Sequence, residues 1–164
     1  MRLFVMLLSL VVSTQLWAGE LSKPTGKVLL TVSGNIENKN EDGKATFDTA
    51  SLEKLGVVSF QTTSPWYNGR TTFTGIPLQK LMDFVGAKGS VVKVTALNDY
   101  TTVIPLNDFK KYNVILALKI NGKYMQIRDK GPLFIVYPYD SIPELNNQIY
   151  YSRSAWQVSR MDIE

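Results

Sequence analysis

Cysteine and histidine are both missing from the 164 residues of this chain. Without thiols there is no disulfide framework, so stability has to come from a packed core. Without thiols and imidazoles there is no Cys-His nucleophile, no Ser-His-Asp triad and none of the common zinc sites. Clustered charge is scarce as well. Lys and Arg number 18 against 14 Asp and Glu, a formal net charge of +4, and no basic run is dense enough to follow a phosphate backbone. Nucleic acid is therefore excluded as a partner class. What remains is an ordinary globular composition, 45% hydrophobic and 20% charged, in a length suited to one domain.

Long apolar runs are missing too, apart from one near the start. Arg2, the run Leu3–Val12 and then Leu16-Trp-Ala18 supply the charged, apolar and small-residue regions of a cleavable export signal. The run is too short to span a bilayer. Cleavage after Ala18 divides the chain into a signal peptide, residues 1–18, and a domain of 164 − 18 = 146 residues, 19–164. No cysteine follows the run to take a lipid, and no twin-arginine pair precedes it. The expectation is export as an unfolded chain by the general secretory route, and residence in the periplasm.

The rest alternates short apolar runs with turn residues. Lys27–Ile36 places Val28, Leu30 and Val32 on one face of a strand, and Ala45–Phe47 returns from the polar loop Asn35–Gly43. In that loop Asn38, Asn40 and Asp42-Gly43 imitate half of a calcium loop. Thr49 stands where the bidentate Glu belongs, so a plain hairpin loop is expected. Asp48 or Thr49 caps a short helix through Leu52 and Leu55, ended by Gly56. Val57–Thr62 reads as a strand, Thr63–Arg70 as a loop and Thr71–Phe73 as a further short strand. The clearest helix starts at Gly75-Ile-Pro77, with Leu78, Leu81, Met82 and Val85 as its apolar stripe and Gly86 as its stop.

Hairpins are predicted around Asn98-Asp99 and Asn121-Gly122. They join Val91–Leu97 to Tyr100–Ile104 and Val114–Ile120 to Lys123–Ile127, with Pro105–Lys111 as a helical turn between them. Leu133–Tyr137 is β-branched and aromatic between two prolines, and reads as a strand buried on both faces. A loop to Asn147 and a closing strand, Trp156–Ile163, complete the chain. The sum is an α+β domain, mainly β.

Three stretches combine an arginine with aromatics or a turn. Trp66, Tyr67 and Arg70 offer flat faces and a fork of donors to an anionic or planar ligand, or else they plug their loop. Arg128, Asp129 and Lys130 lead through Gly131-Pro132 into the buried strand. They hold a phosphate or carboxylate, or else pin the turn as an internal Arg–Asp pair. Arg153 and Trp156 repeat the pattern within Tyr151–Trp156, with the same two readings. Asn98, Asp99 and Tyr100 read as turn chemistry.

Four blocks then form a pattern: Phe73-Thr-Gly-Ile-Pro-Leu78 with Leu81, Val94-Thr-Ala-Leu-Asn-Asp-Tyr100, Ile104-Pro-Leu106, and Arg128-Asp-Lys-Gly-Pro-Leu133. Together they resemble the oxidoreductase molybdopterin-binding family, the sulfite-oxidase-like domain, from about Val57 to Ile163, and most of all its small exported members. The resemblance implies the sulfite-oxidase fold in a single domain. It also implies a difference. Catalytic members bind molybdenum through a Cys thiolate in the loop after the strand matching Val57–Thr62. Here that loop reads Thr62-Thr-Ser-Pro-Trp66, and a hydroxyl, with its much higher pKa, replaces a soft thiolate poorly. The pterin-anchoring histidines of larger relatives are absent too. Cofactor-loaded members leave the cell folded, by the twin-arginine route, because an unfolded chain cannot carry a cofactor held by folded structure.

Ligand chemistry and export signal thus both speak against molybdopterin as a cofactor here. The expectation is a periplasmic binding or sensory accessory module with no catalytic residue and no metal ligand. Arg70 and Arg128 would contact an anion beside Lys130, and Trp66 and Tyr67 would form a stacking wall. Asp129 would orient an arginine, and Arg153 and Trp156 would close the rim. Its partners would be a small anionic or planar ligand and a membrane-bound signalling protein. The competing expectation is a molybdopterin-dependent oxidoreductase with an oxygen ligand, Ser64.

Overall fold

Each residue from Leu133 to Tyr137 is fully buried, as expected of a strand with a core on either side. In the computed structural model, which describes residues 21–164, this segment forms β9 (Phe134–Val136). The export signal predicted over 1–18 lies outside the described residues. Leu133, Ile135 and Tyr137 join the larger core, while Phe134 and Val136 join a smaller one with Phe73, Ile115, Ala117 and Met125. The period-two alternation of a strand distributes one apolar run over both.

The strands of the described residues form two sheets. The first has the order β2-β1-β10-β5-β6, where β1 is Leu30–Gly34, β2 Ala45–Phe47, β5 Val91–Ala96, β6 Thr101–Pro105 and β10 Val158–Ile163. Within it β10 runs parallel to β1 and antiparallel to β5, so both ends of the domain share one sheet. The second contains β3 (Val58–Ser64), β4 (Tyr67–Pro77), β7 (Ile115–Ile120) and β8 (Lys123–Tyr124), in that order. β9 pairs with β7 as well. Since β8 takes the Lys119–Ile120 end of β7 and β9 its Ile115–Ala117 end, the two behave as one strand interrupted by a loop. That loop is the charged turn. Gly131 N–H donates back to the Gln126 carbonyl at 2.8 Å, and Ile127–Asp129 makes a 3-10 turn within the excursion. Gly131 is required by close approach, because a Cβ there would stand 2.3 Å from the Met125 carbonyl oxygen.

Among the described residues four helices cover the sheets: α1 (Thr49–Lys54), α2 (Leu78–Val85), α3 (Asn107–Lys111) and α4 (Gln148–Arg153). Asp48 caps α1 in a reciprocal box with Ser51. α2 has eight residues, too few to persist in isolation. Burial of Leu78, Leu81, Met82 and Val85, at roughly 1.5–3 kcal/mol each, holds it in place, and Gly86 ends it at φ 63°. Its start differs from expectation. Gly75-Ile-Pro77 belongs to β4, paired with Ala117, Leu116 and Ile115 of β7, and the helix begins only at Leu78. No helix among the described residues is long and apolar enough to cross a membrane.

Two further differences bear on function. The stretch Thr63–Arg70 is not a loop: β3 and β4 form a hairpin in which Ser64 pairs with Tyr67, leaving Pro65 and Trp66 as the turn. Turn chemistry at Asn68-Gly69 gave way to the backbone hydrogen bonds offered by β3. The stretch between Asn147 and Trp156 contains α4, whose cap is the Asn147 side chain accepting from Ile149 N–H. The calcium-like stretch is a hairpin loop, closed by a Glu41–Lys44 bridge and by Asn40, which bonds Thr46 on both its backbone groups.

Candidate functional site

Three elements meet around a cavity of about 310 Å³. The β3–β4 turn supplies Pro65 and Trp66, the β5–β6 turn supplies Asn98 and Tyr100, and α4 with the strap after it supplies Gln148, Tyr151, Ser152, Ser154, Ala155 and Trp156. Local sequence explains each position. Pro65 presets the two-residue turn that carries Trp66. Asn98 Oδ1 accepts from Tyr100 N–H at 3.2 Å and shapes the β5–β6 turn, while Tyr100 Oη donates to the Ser152 carbonyl at 2.7 Å, tying that turn to α4. Trp156 bridges by backbone to Phe134, which fixes the strap against β9.

Trp66 is the hub. Its ring meets Phe134 at 5.4 Å, Trp156 at 5.7 Å, Tyr151 at 6.0 Å and Tyr139 at 6.3 Å between centroids, the first three edge-to-face as aromatic quadrupoles prefer. It packs against both cores. Behind the wall, burial pushes the Tyr137 and Tyr139 phenols far above their ordinary range, so both stay neutral. Tyr139 shares a hydrogen bond with the Ser154 hydroxyl. Among the described residues, no charged side chain lines the cavity.

Of the residues singled out from the sequence, Trp66 and Trp156 stand together in this cavity and the others stand apart from it. Tyr67 packs on Phe73 at 5.9 Å and its hydroxyl donates to the Asp129 carbonyl at 3.4 Å. Burial, and then the Asp129 charge, raise its pKa. Arg70 Nε lies 3.3 Å from Asp140 Oδ2, and Asp140 also accepts from Thr63 N–H at 3.0 Å, so this pair staples the β3–β4 hairpin to the chain after β9. Arg128 and Asp129 pair with each other at 3.6 Å, both exposed. Lys130 places its ammonium 4.5 Å from the centre of the Trp156 ring. Arg153 Nη1 donates to Asp108 Oδ2 at 2.8 Å, which also accepts from Tyr137 Oη at 2.8 Å. Sequence reasoning read Tyr100 as turn chemistry, named Tyr151 only as the start of the Arg153 stretch, and passed over Gln148. The Asn147 cap was the available sign of α4, and nothing local marks Tyr100 as facing α4.

The chemistry of the donor set does not fit a thiolate-anchored molybdenum cofactor. The end of β3 that leads into the turn carries Thr62, Thr63 and Ser64, and neither it nor the turn has a thiol. Thr62 Oγ1 is already occupied, donating to the Thr63 carbonyl and accepting from Asp140 N–H, both at 3.1 Å. No group of three or more His, Cys, Asp or Glu that could hold a metal occurs among the described residues. Arg70 and Arg153 are each paired with a carboxylate. One atom stands out: Ser64 Oγ is buried with no hydrogen-bond partner among the described residues.

A family model described as the oxidoreductase molybdopterin binding domain matches residues 30–140, from β1 to the Asp140 staple, and so starts earlier than the resemblance read from the sequence. Among solved structures, the sulfane dehydrogenase SoxCD from Paracoccus pantotrophus is similar, with a TM-score of 0.63 and 17% sequence identity. The match covers 82% of this chain and 37% of that one. At that identity it shows the fold, a sulfite-oxidase-like arrangement, mainly β, in a single domain. No curated protein matches.

Proposed function

The chain belongs to the oxidoreductase molybdopterin binding domain family, and we propose that within it this protein is a binding or sensory accessory module working without a molybdenum centre. The observation that carries this reading is the cavity beside the β3–β4 turn, walled by Trp66, Tyr100, Tyr151 and Trp156 and free of charged side chains. Concave, mostly aromatic walls with a few polar groups are what a small ligand needs. Flat faces without a cation favour a planar ligand over an anionic one. The internal use of Arg70 and Arg153 supports the same preference.

A sensor must also pass occupancy on. The β5–β6 turn and α4 both line the cavity, are joined by the Tyr100–Ser152 bond, and expose Leu97, Tyr100 and Ile149 to solvent. A ligand touching both elements can bias how they sit, and a partner reading that apolar surface would respond. The proposed compartment is the periplasm, on the strength of the export signal, and the proposed partner is a membrane-bound signalling protein.

The test is to purify the protein from the periplasm and measure molybdenum by mass spectrometry, with pterin fluorescence on the same sample. The expected result is metal far below stoichiometry, together with a melting point raised by planar ligands that bind the folded state. Near-stoichiometric molybdenum overturns the reading. In that event the second reading, an oxidoreductase with an oxygen ligand, is carried by the unpartnered Ser64 hydroxyl, and Ser64→Ala would empty the site of metal.

A further inference from the structure

We infer that the ligand of the aromatic cavity is an uncharged planar ring system bearing carbonyl oxygens, of the quinone class. This rests on the cavity being the binding site. The polar groups on its walls set the chemistry of the ligand. Tyr100 Oη is committed to the Ser152 carbonyl, Ser152 Oγ to the Ile149 carbonyl and Tyr151 Oη to Asn146 Oδ1. Asn98 Oδ1 already accepts from Tyr100 N–H. What is left uncommitted is mainly donors: the indole N–H of Trp66, the indole N–H of Trp156 and the amide NH₂ groups of Asn98 and Gln148.

None of these donors has a hydrogen-bond partner among the described residues, and none is sealed in the core, where Ser64 Oγ is the one buried side-chain atom without a partner. They are therefore open to solvent or to a ligand. Indole has no acceptor to offer, and the Tyr100, Tyr151 and Ser152 hydroxyls have each spent their one proton while keeping lone pairs, so the free hydrogens on the walls sit on these N–H groups and a ligand that engages them carries acceptors. A carboxylate or phosphate is acceptor-rich too, but no cation lines the cavity, and burying an unpaired anion is costly. The Lys130 ammonium rests over the Trp156 ring. A neutral carbonyl takes the same N–H bonds without that cost. About 310 Å³ lies at the lower end of the small-molecule range, room for one or two fused rings stacked on Trp66 and Trp156. With no cysteine in the chain, a quinone here meets no thiol that would add to it.

Three probes of similar size separate the terms: menadione, with two carbonyls; 2-methylnaphthalene, with the same rings and none; and 2-naphthoate, an anion. Calorimetric titration should show menadione binding at least tenfold more tightly than either of the others. Trp66 and Trp156 are the only tryptophans of the chain outside the predicted leader, so their fluorescence reports where a probe sits. Trp156→Phe keeps a ring and removes the N–H; it should weaken menadione about fivefold to tenfold and leave 2-methylnaphthalene unchanged. Gln148→Met, at the exposed start of α4, should weaken menadione by a smaller factor with the fold intact. Equal binding of 2-methylnaphthalene, or tighter binding of 2-naphthoate, overturns the carbonyl inference and leaves the cavity reading standing. Failure of all three probes to bind overturns both.

Discussion

Replacing Arg153 with methionine keeps most of the side-chain stem and removes the guanidinium, and the structure sets what that should cost. Arg153 Nη1 and Asp108 Oδ2 are 2.8 Å apart, with side chains 23% and 10% exposed. Breaking a fully buried pair from one side costs about 3–5 kcal/mol, because a charge is left behind without its partner. Residual exposure of Arg153 screens part of that, as it does for surface pairs. Tyr137 Oη also still donates to the same carboxylate oxygen. The expected loss for Arg153→Met is therefore about 2–3 kcal/mol, which for a domain of this size lowers the melting point by about 6–10 °C. Asp108→Asn removes the charge but leaves an acceptor for Tyr137. In that background Arg153→Met should cost about 1 kcal/mol or less. Urea and thermal unfolding of the four proteins close the cycle, and menadione titration of Arg153→Met should match wild type. A change under about 0.5 kcal/mol together with lost ligand affinity would refute the reasoning and return Arg153 to the ligand rim.

Gly131→Ala puts a methyl 2.3 Å from the Met125 carbonyl oxygen; with backbone on both sides, a loss of about 1–3 kcal/mol is expected by denaturant unfolding. Asp48 accepts N–H bonds from Ser51, Gly26 and Thr25 that hold its carboxyl down at about 2 against an ordinary 3.8. Its folded pKa is depressed, so its contribution is fully present above the unfolded value and lost as pH falls through the folded one. Acid titration should show wild type losing stability between about pH 4 and 2, with Asp48→Asn flatter over that window and less stable at neutral pH. Arg128→Gln removes half of an exposed pair at 3.6 Å, and both its stability, within about 0.5 kcal/mol, and its menadione affinity should stay at wild-type values; a large affinity loss would restore Arg128 as a ligand contact.

Where local chemistry and tertiary context agree, the sequence was enough. The run Leu133–Tyr137 has no polar residue to turn outward, so burial on both faces was readable, and so was the helix whose stripe of Leu78, Leu81, Met82 and Val85 ends at Gly86. The four motif blocks carried the family, and the absence of cysteine alone removed the thiolate. Where a segment's partner lies far along the chain, the sequence was silent. Thr63–Arg70 looks like a loop because its turn residues are local, whereas its strand character comes from pairing across the hairpin. Arginine beside aromatics and turns reads the same whether it faces a ligand or a carboxylate. The carboxylates that engage Arg70 and Arg153 stand 140 − 70 = 70 and 153 − 108 = 45 residues away.

The division follows from range. Composition, periodicity and capping act over a few residues, and they determined the mainly β domain and the absence of a cysteine thiolate. The fold alone decided which polar groups are satisfied within the protein and which remain open. That is a matter of three-dimensional pairing: it brings Trp66 and Trp156 of the predicted set together at a cavity between the β3–β4 turn, the β5–β6 turn and α4, and engages Arg70 and Arg153 with carboxylates.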